Sequence, residues 1–191
     1  MKLMSLLAAV AVAVLSLSPA AAPAAMVHSV DLADGPGDTW TYSDSTSGYA
    51  LGAQPAADVL SARISHGRHA VQLRLRFDDL QRVGSQWYWF EIHTTGATSW
   101  FIVEARKHDY VGTAYQSIEG EWARVPGVSH HLDYATDEVT LRVSRRLLGD
   151  PPWVRVRLRF ELGLPDGTFF TDNPMNAGRT AEFTRRLATA A

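Results

Sequence analysis

Hydrophobic and polar residues alternate strictly along three segments of the chain. In residues 71–77 and 154–160, apolar side chains occupy every second position, and arginine or glutamine fills the positions between them. Val139, Leu141 and Val143 alternate with polar residues in the same way. Successive side chains of a β-strand point to opposite faces, so each segment predicts a strand with one face in a core and one in water. A helix would scatter the arginines around its circumference.

Less regular segments complete the predicted fold. Residues 58–65 run into the turn His66-Gly67-Arg68-His69 and predict a hairpin with the strand that follows. Residues 87–94 and 99–106 flank a Thr-Gly pair and predict a second hairpin. Further strands are predicted over residues 110–116 and 128–134, and short helical turns over residues 79–82 and 145–148. We therefore expect an all-β fold, an antiparallel β-sandwich of the jelly-roll type.

The first 24 residues have the features of a secretory signal peptide. Lys2 precedes an apolar stretch of about a dozen residues, and Ala22-Pro23-Ala24 fits the cleavage pattern. An uncleaved membrane anchor is the alternative, but a span needs roughly twenty apolar residues. We expect cleavage after Ala24, export from a bacterial cell to the extracellular space, and no transmembrane segment thereafter. The remaining residues, 25–191, are enough for a single domain.

Composition excludes several classes of function. The chain has no cysteine, which rules out thiol catalysis, thiolate metal sites and disulfides. Its formal net charge of −2 gives no general attraction to nucleic acid, which we do not expect as a partner. It contains no phosphate-binding loop, dinucleotide fingerprint, serine-nucleophile elbow or zinc-protease motif. We therefore expect a binding protein without catalytic residues rather than an enzyme.

The second predicted hairpin carries the strongest candidate for a ligand site. The candidate ligand-binding residues are Trp87, Trp89, Glu91, Trp100, Glu104 and Arg106. Sugar rings stack on indoles, while carboxylates and guanidinium groups hydrogen-bond hydroxyls, so this set predicts binding of a glycan or another extracellular polymer. Whether the second strand shares the face of the first depends on the register, which a one-residue slip would reverse. The alternative is that the rings are core residues, covered by the Gly-, Pro- and Ser-rich segment 35–57.

Arginines on solvent-facing strand positions give a second hypothesis. These arginines are Arg74, Arg76, Arg142, Arg155, Arg157 and Arg159. If their strands adjoin in one sheet, they form a basic face that could bind an anionic cell-envelope polymer, as in a structural or interaction protein of the cell surface. The alternative is a solvated face on which the arginines pair with acids such as Glu138 and Glu161.

Metal and catalytic candidates are fewer. Asp31, Asp34 and Asp38 surround Gly35-Pro36-Gly37 and offer oxygen ligands for calcium, as do Asp172 and Asn173 in a later loop. Such loops are also ordinary turns, and their spacing does not fit an EF-hand. Two histidine pairs, His66 with His69 and His130 with His131, offer at most two ligands each, too few for zinc.

A third hypothesis is a glycoside hydrolase-like enzyme. It would require two carboxylates such as Glu91 and Glu104 to face each other across the hairpin as acid and base, about 5–9 Å apart.

Turn motifs in the second half of the chain resemble those of a known family. They are Leu147-Leu148-Gly149-Asp150-Pro151, Leu164-Pro165-Asp166-Gly167 and Asp172-Asn173-Pro174. Together with the hairpin that opens at Asp58, they resemble the family 9-like carbohydrate-binding and DOMON-like β-sandwich domains of secreted bacterial proteins. Ser144 stands where that family usually has proline. The resemblance implies a β-sandwich and sugar binding, and it covers residues 58–80 and 139–178.

Overall fold

Antiparallel β-strands account for nearly all regular structure in the described part of the chain. The computed structural model describes residues 27–43, 50–175 and 182–190, so the predicted leader lies outside the described residues. The described strands form two sheets that pack face to face. The predicted all-β sandwich is therefore confirmed.

Sheet A has five strands. From one edge to the other they are β1 (Ser29–Ala33), β4 (Val59–His66), β5 (Ala70–Phe77), β11 (Glu138–Ser144) and β10 (Val128–Asp133). Two of the three segments of strict alternation form β5 and β11, which pair with each other within this sheet.

Sheet B is larger and carries the third alternating segment at its centre. Its strands are, in order, β3 (Ala50–Leu51), β2 (Trp40–Ser43), β13 (Thr168–Asp172), β12 (Trp153–Gly163), β6 (Ser85–His93), β7 (Thr98–Arg106), β8 (Asp109–Ile118) and β9 (Glu121–Ala123). A short strand, β14 (Leu187–Ala188), pairs with the beginning of β12.

Within the described residues, helix is limited to two 3-10 turns, Pro55–Ala57 and Arg145–Leu148. The second was predicted, but a helical turn over residues 79–82 was not found. There the chain bends because Leu80 is buried and its N–H donates to the Asp137 carboxylate 2.9 Å away instead of to a helical carbonyl.

The hydrophobic core lies between the sheets and is built from one face of each strand. Tyr88, Phe90 and Ile92 of β6 are at most 1% exposed and face this core, as predicted. The ring of Phe77 in sheet A meets that of Phe160 in sheet B edge-on at 5.0 Å, which shows that the two layers interlock. The other face of each sheet is therefore the place for functional side chains.

The described part of the segment at residues 35–57 is not a covering loop. It contains β2, β3 and the first 3-10 turn, and β2 extends sheet B by pairing with β13. Residues 44–49 of this segment lie outside the described residues.

His66 and His130, one from each of the two histidine pairs, both form hydrogen bonds with backbone carbonyl oxygens. His66 is fully buried, and its Nδ1 donates to the Leu187 carbonyl oxygen 2.9 Å away, so it holds β14 against β4. Burial lowers the pKa of His66 from its usual 6.5, and the nearby Arg145 lowers it further. His130 instead bonds the Val111 carbonyl oxygen at 3.2 Å.

Gly84 is required by close backbone packing at the start of β6. Its φ of +61° is in the left-handed region, and a Cβ there would lie 2.3 Å from the carbonyl oxygen of Gly163. We expect Gly84→Ala to lower the free energy of unfolding by about 2–4 kcal/mol through left-handed strain and overpacking. Urea unfolding would measure this loss.

Gly96 provides the matched control, since it is exposed in a turn and a Cβ there would meet nothing within 4 Å. We expect Gly96→Ala to change stability by no more than about 0.5 kcal/mol. Equal losses in the two variants would contradict the packing assigned to Gly84.

Candidate binding face

The register of the second hairpin brings the six candidate ligand-binding residues to one face. Trp87 pairs with Glu104, Glu91 pairs with Trp100, and Arg106 pairs with Ser85 at the end of the hairpin. Residues directly opposite in an antiparallel pair project to the same side. The whole set therefore lies on the outer face of sheet B, away from the core.

All six tryptophans of the chain occupy this outer face, which we call the aromatic face. They are Trp40, Trp87, Trp89, Trp100, Trp122 and Trp153. Trp100 and Trp122 are 40% and 42% exposed, and the others are half-buried. None of the six is a core residue, so the alternative of core tryptophans is wrong. Large exposed aromatic patches are uncommon on proteins that bind nothing there.

Stacked rings form one end of the aromatic face. Tyr42 stacks on Phe169 with ring centroids 5.1 Å apart, and Phe169 lies beside Trp87 at 6.4 Å. Gly163 lies beneath these rings, because a Cβ there would be 2.9 Å from Phe169 and 3.0 Å from Trp87. The glycine thus lets the two rings lie flat against the backbone of β12.

The middle of the face is organised by an ion pair. The Arg157 Nε donates to Glu91 Oε2 at 2.7 Å, and Glu91 is only 7% exposed. The guanidinium of Arg157 also lies over the rings of Trp100 at 5.6 Å and Phe183 at 4.8 Å. Glu91 is therefore engaged within the protein, while Trp100 is held in place by a cation.

A second polar contact orients Trp89. Its indole N–H donates to Glu161 at 2.8 Å, and the Arg159 guanidinium lies over its ring at 5.3 Å. Trp122 reaches across from the edge strand β9 and meets the ring of Trp89 edge-on at 5.8 Å. Trp122 was not among the predicted ligand-binding residues, since β9 has only three residues and no alternation.

Glu104 and Arg106 supply polar groups beside the rings. They form a loose ion pair of 3.7 Å, and the Arg106 side chain is 65% exposed. The face thus combines fixed indoles with carboxylate and guanidinium groups. The indoles can stack on the apolar face of a ligand ring, and the charged groups can hydrogen-bond the polar groups at the edge of that ring.

Glu91 and Glu104 do not face each other across the hairpin. Glu91 lies opposite Trp100, and Glu104 lies opposite Trp87, four residues along β6. Four residues of strand separate their backbones by about 13 Å, whereas paired glycosidase carboxylates are about 5–9.5 Å apart. With Glu91 held by Arg157, this pair does not have the arrangement that the hydrolase hypothesis requires.

The six arginines do not form one basic face. Arg74, Arg76 and Arg142 lie on the outer face of sheet A, while the arginines of β12 lie on sheet B, on the opposite side of the molecule. Their strands alternate as predicted, but the topology assigns them to different sheets. Arg74 pairs with Glu138, and Arg159 with Glu161, as the alternative interpretation expects.

The predicted calcium loop is partly assembled. Ligand oxygens of Asp34 and Asp38 lie within 4.8 Å of each other and of an oxygen of Asp172, which the sequence placed in a separate loop. Asp31 is not part of this group. It belongs to β1 and pairs with Arg63 on β4 at 3.2 Å, because the strand register sets the two opposite each other.

Removal of Arg157 tests whether the ion pair organises the face. Breaking a buried pair costs about 3–5 kcal/mol, and because Arg157 is a third exposed we expect Arg157→Met to cost about 2–3 kcal/mol. Adding Glu91→Gln should recover part of this loss, since no buried carboxylate is then left unpaired. Urea unfolding of both single variants and the double variant would measure the coupling.

Arg159→Met is the control, because Arg159 is 45% exposed and 3.4 Å from its carboxylate. We expect it to cost less than about 1 kcal/mol. A loss at Arg157 no larger than at Arg159, or no recovery in the double variant, would refute the role of the pair.

No family model matches the chain, and no curated protein or solved structure is significantly similar to it. Across residues 27–43, 50–175 and 182–190, the structure contains no helix with the length and apolarity needed to span a bilayer.

Proposed function

We propose that the protein binds a glycan chain on the aromatic face, as a non-catalytic binding protein. The observation that carries this proposal is the collection of all six tryptophans on one outer sheet face, two of them about 40% exposed. A sandwich needs no tryptophan on its outer faces for stability, and the outer strand positions of sheet A carry none. The asymmetry between the two faces is what a ligand platform would produce.

Contacts within the protein hold the rings in place before any ligand binds, which supports this proposal. Trp89 is held by its hydrogen bond to Glu161, and Trp100 lies against the Arg157 guanidinium. Rigid aromatic anchors lose little conformational entropy when a ligand binds, so the free energy of stacking is retained as affinity. Exposed Arg106 and half-buried Glu104 would hydrogen-bond hydroxyl groups at the edge of the stacked sugars.

The extent of the face favours a chain over a single sugar. Along β12, Trp153 lies eight residues from Glu161, which pairs with Trp87. Eight residues of strand span about 27 Å. A polymer could therefore contact several rings in succession, and the predicted export would bring the protein to such polymers.

Trp100→Ala and Trp122→Ala test the proposal. All six tryptophans lie on the aromatic face, so their fluorescence reports on it directly. We expect at least one of the soluble plant and cell-wall polysaccharides tested to shift the tryptophan emission when it is titrated into the protein. Each alanine variant should weaken that binding about tenfold, or about 1.4 kcal/mol, through loss of one stacking ring.

Arg76→Ala with Arg142→Ala on sheet A is the control on the opposite side of the molecule. This double variant should bind the polysaccharide as the unmodified protein does. Absence of an emission change with every polysaccharide, or an equal loss in the sheet A variant, would refute the aromatic face as the site.

A groove on sheet A favours one further candidate, the binding of an anionic polymer. The groove has a volume of about 500 Å³, and its walls include Arg63, Arg74, Arg142 and His131. Arg63 and Arg74 are already paired with acids, which reduces the positive charge available to a ligand. Binding there would weaken steeply with salt and would be lost in the sheet A variant, whereas ring stacking on the aromatic face would be nearly independent of salt.

A further inference from the structure

Four aspartates from separate parts of the chain meet at one end of the sandwich. Asp34 and Asp38 come from the connection between β1 and β2, Asp58 immediately precedes β4, and Asp172 is the last residue of β13. Asp34, Asp38 and Asp172 each direct one oxygen into a group whose members lie within 4.8 Å of one another. Two oxygens bound on opposite sides of a calcium ion at about 2.4 Å are separated by that distance.

Asp58 gives an independent indication of a ligand. Asp58 is only 2% exposed, and its Oδ2 accepts the N–H of Gly37, inside the connection that carries Asp34 and Asp38. The other oxygen, Oδ1, is buried and has no hydrogen-bond partner among the described residues. A buried carboxylate oxygen without a partner costs free energy that a bound cation would recover.

Two residues of the group, Asp34 and Asp38, each have an oxygen in the same condition. Asp34 Oδ2 and Asp38 Oδ1 are buried and have no hydrogen-bond partner in the described part of the chain. In contrast, the Asp172 carboxylate accepts the N–H of Val59 at 2.6 Å and that of Asn173 at 2.7 Å, so its position is fixed by the backbone. The group of three therefore has one carboxylate anchored by the backbone, that of Asp172, and two with an unsatisfied oxygen. Asp58 lies beside the group, held to the same connection by its hydrogen bond with Gly37, and has a third unsatisfied oxygen.

In the described part of the chain, no basic side chain forms an ion pair with these aspartates. Among the described residues, none of the five ion pairs involves Asp34, Asp38, Asp58 or Asp172. Burial and then the neighbouring carboxylates raise the pKa of Asp172 to about 7 and that of Asp34 to about 6. Burial also raises the pKa of Asp58. A cluster of carboxylates without a basic partner favours the binding of a cation, which would offset their mutual repulsion.

We propose that Asp34, Asp38, Asp58 and Asp172 bind one calcium ion. Oxygen-only ligands suit a hard cation, and calcium accepts six to eight oxygens in flexible geometry, whereas magnesium demands a near-ideal octahedron at about 2.0–2.1 Å. Four carboxylates from three separate segments of the chain suit calcium better than magnesium.

The ion would join the two sheets. Asp58 leads into sheet A, Asp172 ends a strand of sheet B, and the connection that holds Asp34 and Asp38 crosses from one sheet to the other. Bound calcium would therefore fix the start of β2, two residues beyond Asp38, at the edge of the aromatic face. This site is separate from the glycan site and does not depend on it.

Calcium titration of the full chain tests the proposal. After treatment with EDTA and dialysis, isothermal calorimetry with CaCl₂ should give one ion per chain. Calcium at about 100 times its dissociation constant should raise the midpoint of thermal unfolding by about 5–10 °C. Asp38→Asn and Asp58→Asn should each reduce the affinity at least tenfold and abolish most of this shift.

Asp31→Asn is the matched control, since Asp31 lies in the strand just before the site but pairs with Arg63. It should bind calcium as the unmodified protein does. In EDTA, Asp38→Asn should unfold at the same temperature as the unmodified protein or higher, because it removes repulsion; this distinguishes loss of a ligand from failure to fold. Weak extracellular calcium sites have dissociation constants of roughly 10⁻⁴–10⁻³ M, so 10 mM calcium would saturate such a site. The proposal would be overturned if 10 mM calcium gave neither heat nor a thermal shift. An unchanged response of Asp38→Asn, or an equal shift with magnesium, would overturn it as well.

Discussion

The pairing of β12 with β6 is the interaction on which both faces of sheet B depend. Its register sets Leu158 opposite Phe90 on the core side and Arg157 opposite Glu91 on the outer side. A slip of one residue would bring the arginines into the core and expose the apolar side chains, at a cost the fold could not sustain. The core therefore determines the order of the outer side chains, and the aromatic face follows from the packing beneath it.

Arginines make a face rich in tryptophan compatible with water. Guanidinium groups of Arg157 and Arg159 lie over indole rings and at the same time pair with carboxylates of the face. Each such contact contributes about 0.5–2 kcal/mol and keeps a charged group at the surface of the rings. The arginines that suggested a basic polymer-binding stripe thus have a different role on sheet B, where they hold the aromatic residues in place.

The sequence predicted what local periodicity controls and missed what the topology controls. Strict alternation correctly located β5, β11 and β12, and the turn between β6 and β7 is short enough to fix their register. The short strands β2 and β9 have too few residues for a periodic signal, so Trp122 and the stack of Tyr42 on Phe169 were not foreseen. The division of the arginines between two sheets and the approach of Asp172 to Asp34 depend on contacts between distant parts of the chain.

The central claim is that ligand binding takes place on the outer face of sheet B. Heteronuclear NMR of the labelled protein tests it most directly, because the six indole N–H groups give separate signals that all come from this face. Titration with the polysaccharide fragment that binds should shift the indole signals of Trp100 and Trp122 and leave the backbone amides of β5 and β11 unchanged. Shifts confined to β5 and β11, with all six indole signals unmoved, would contradict the account.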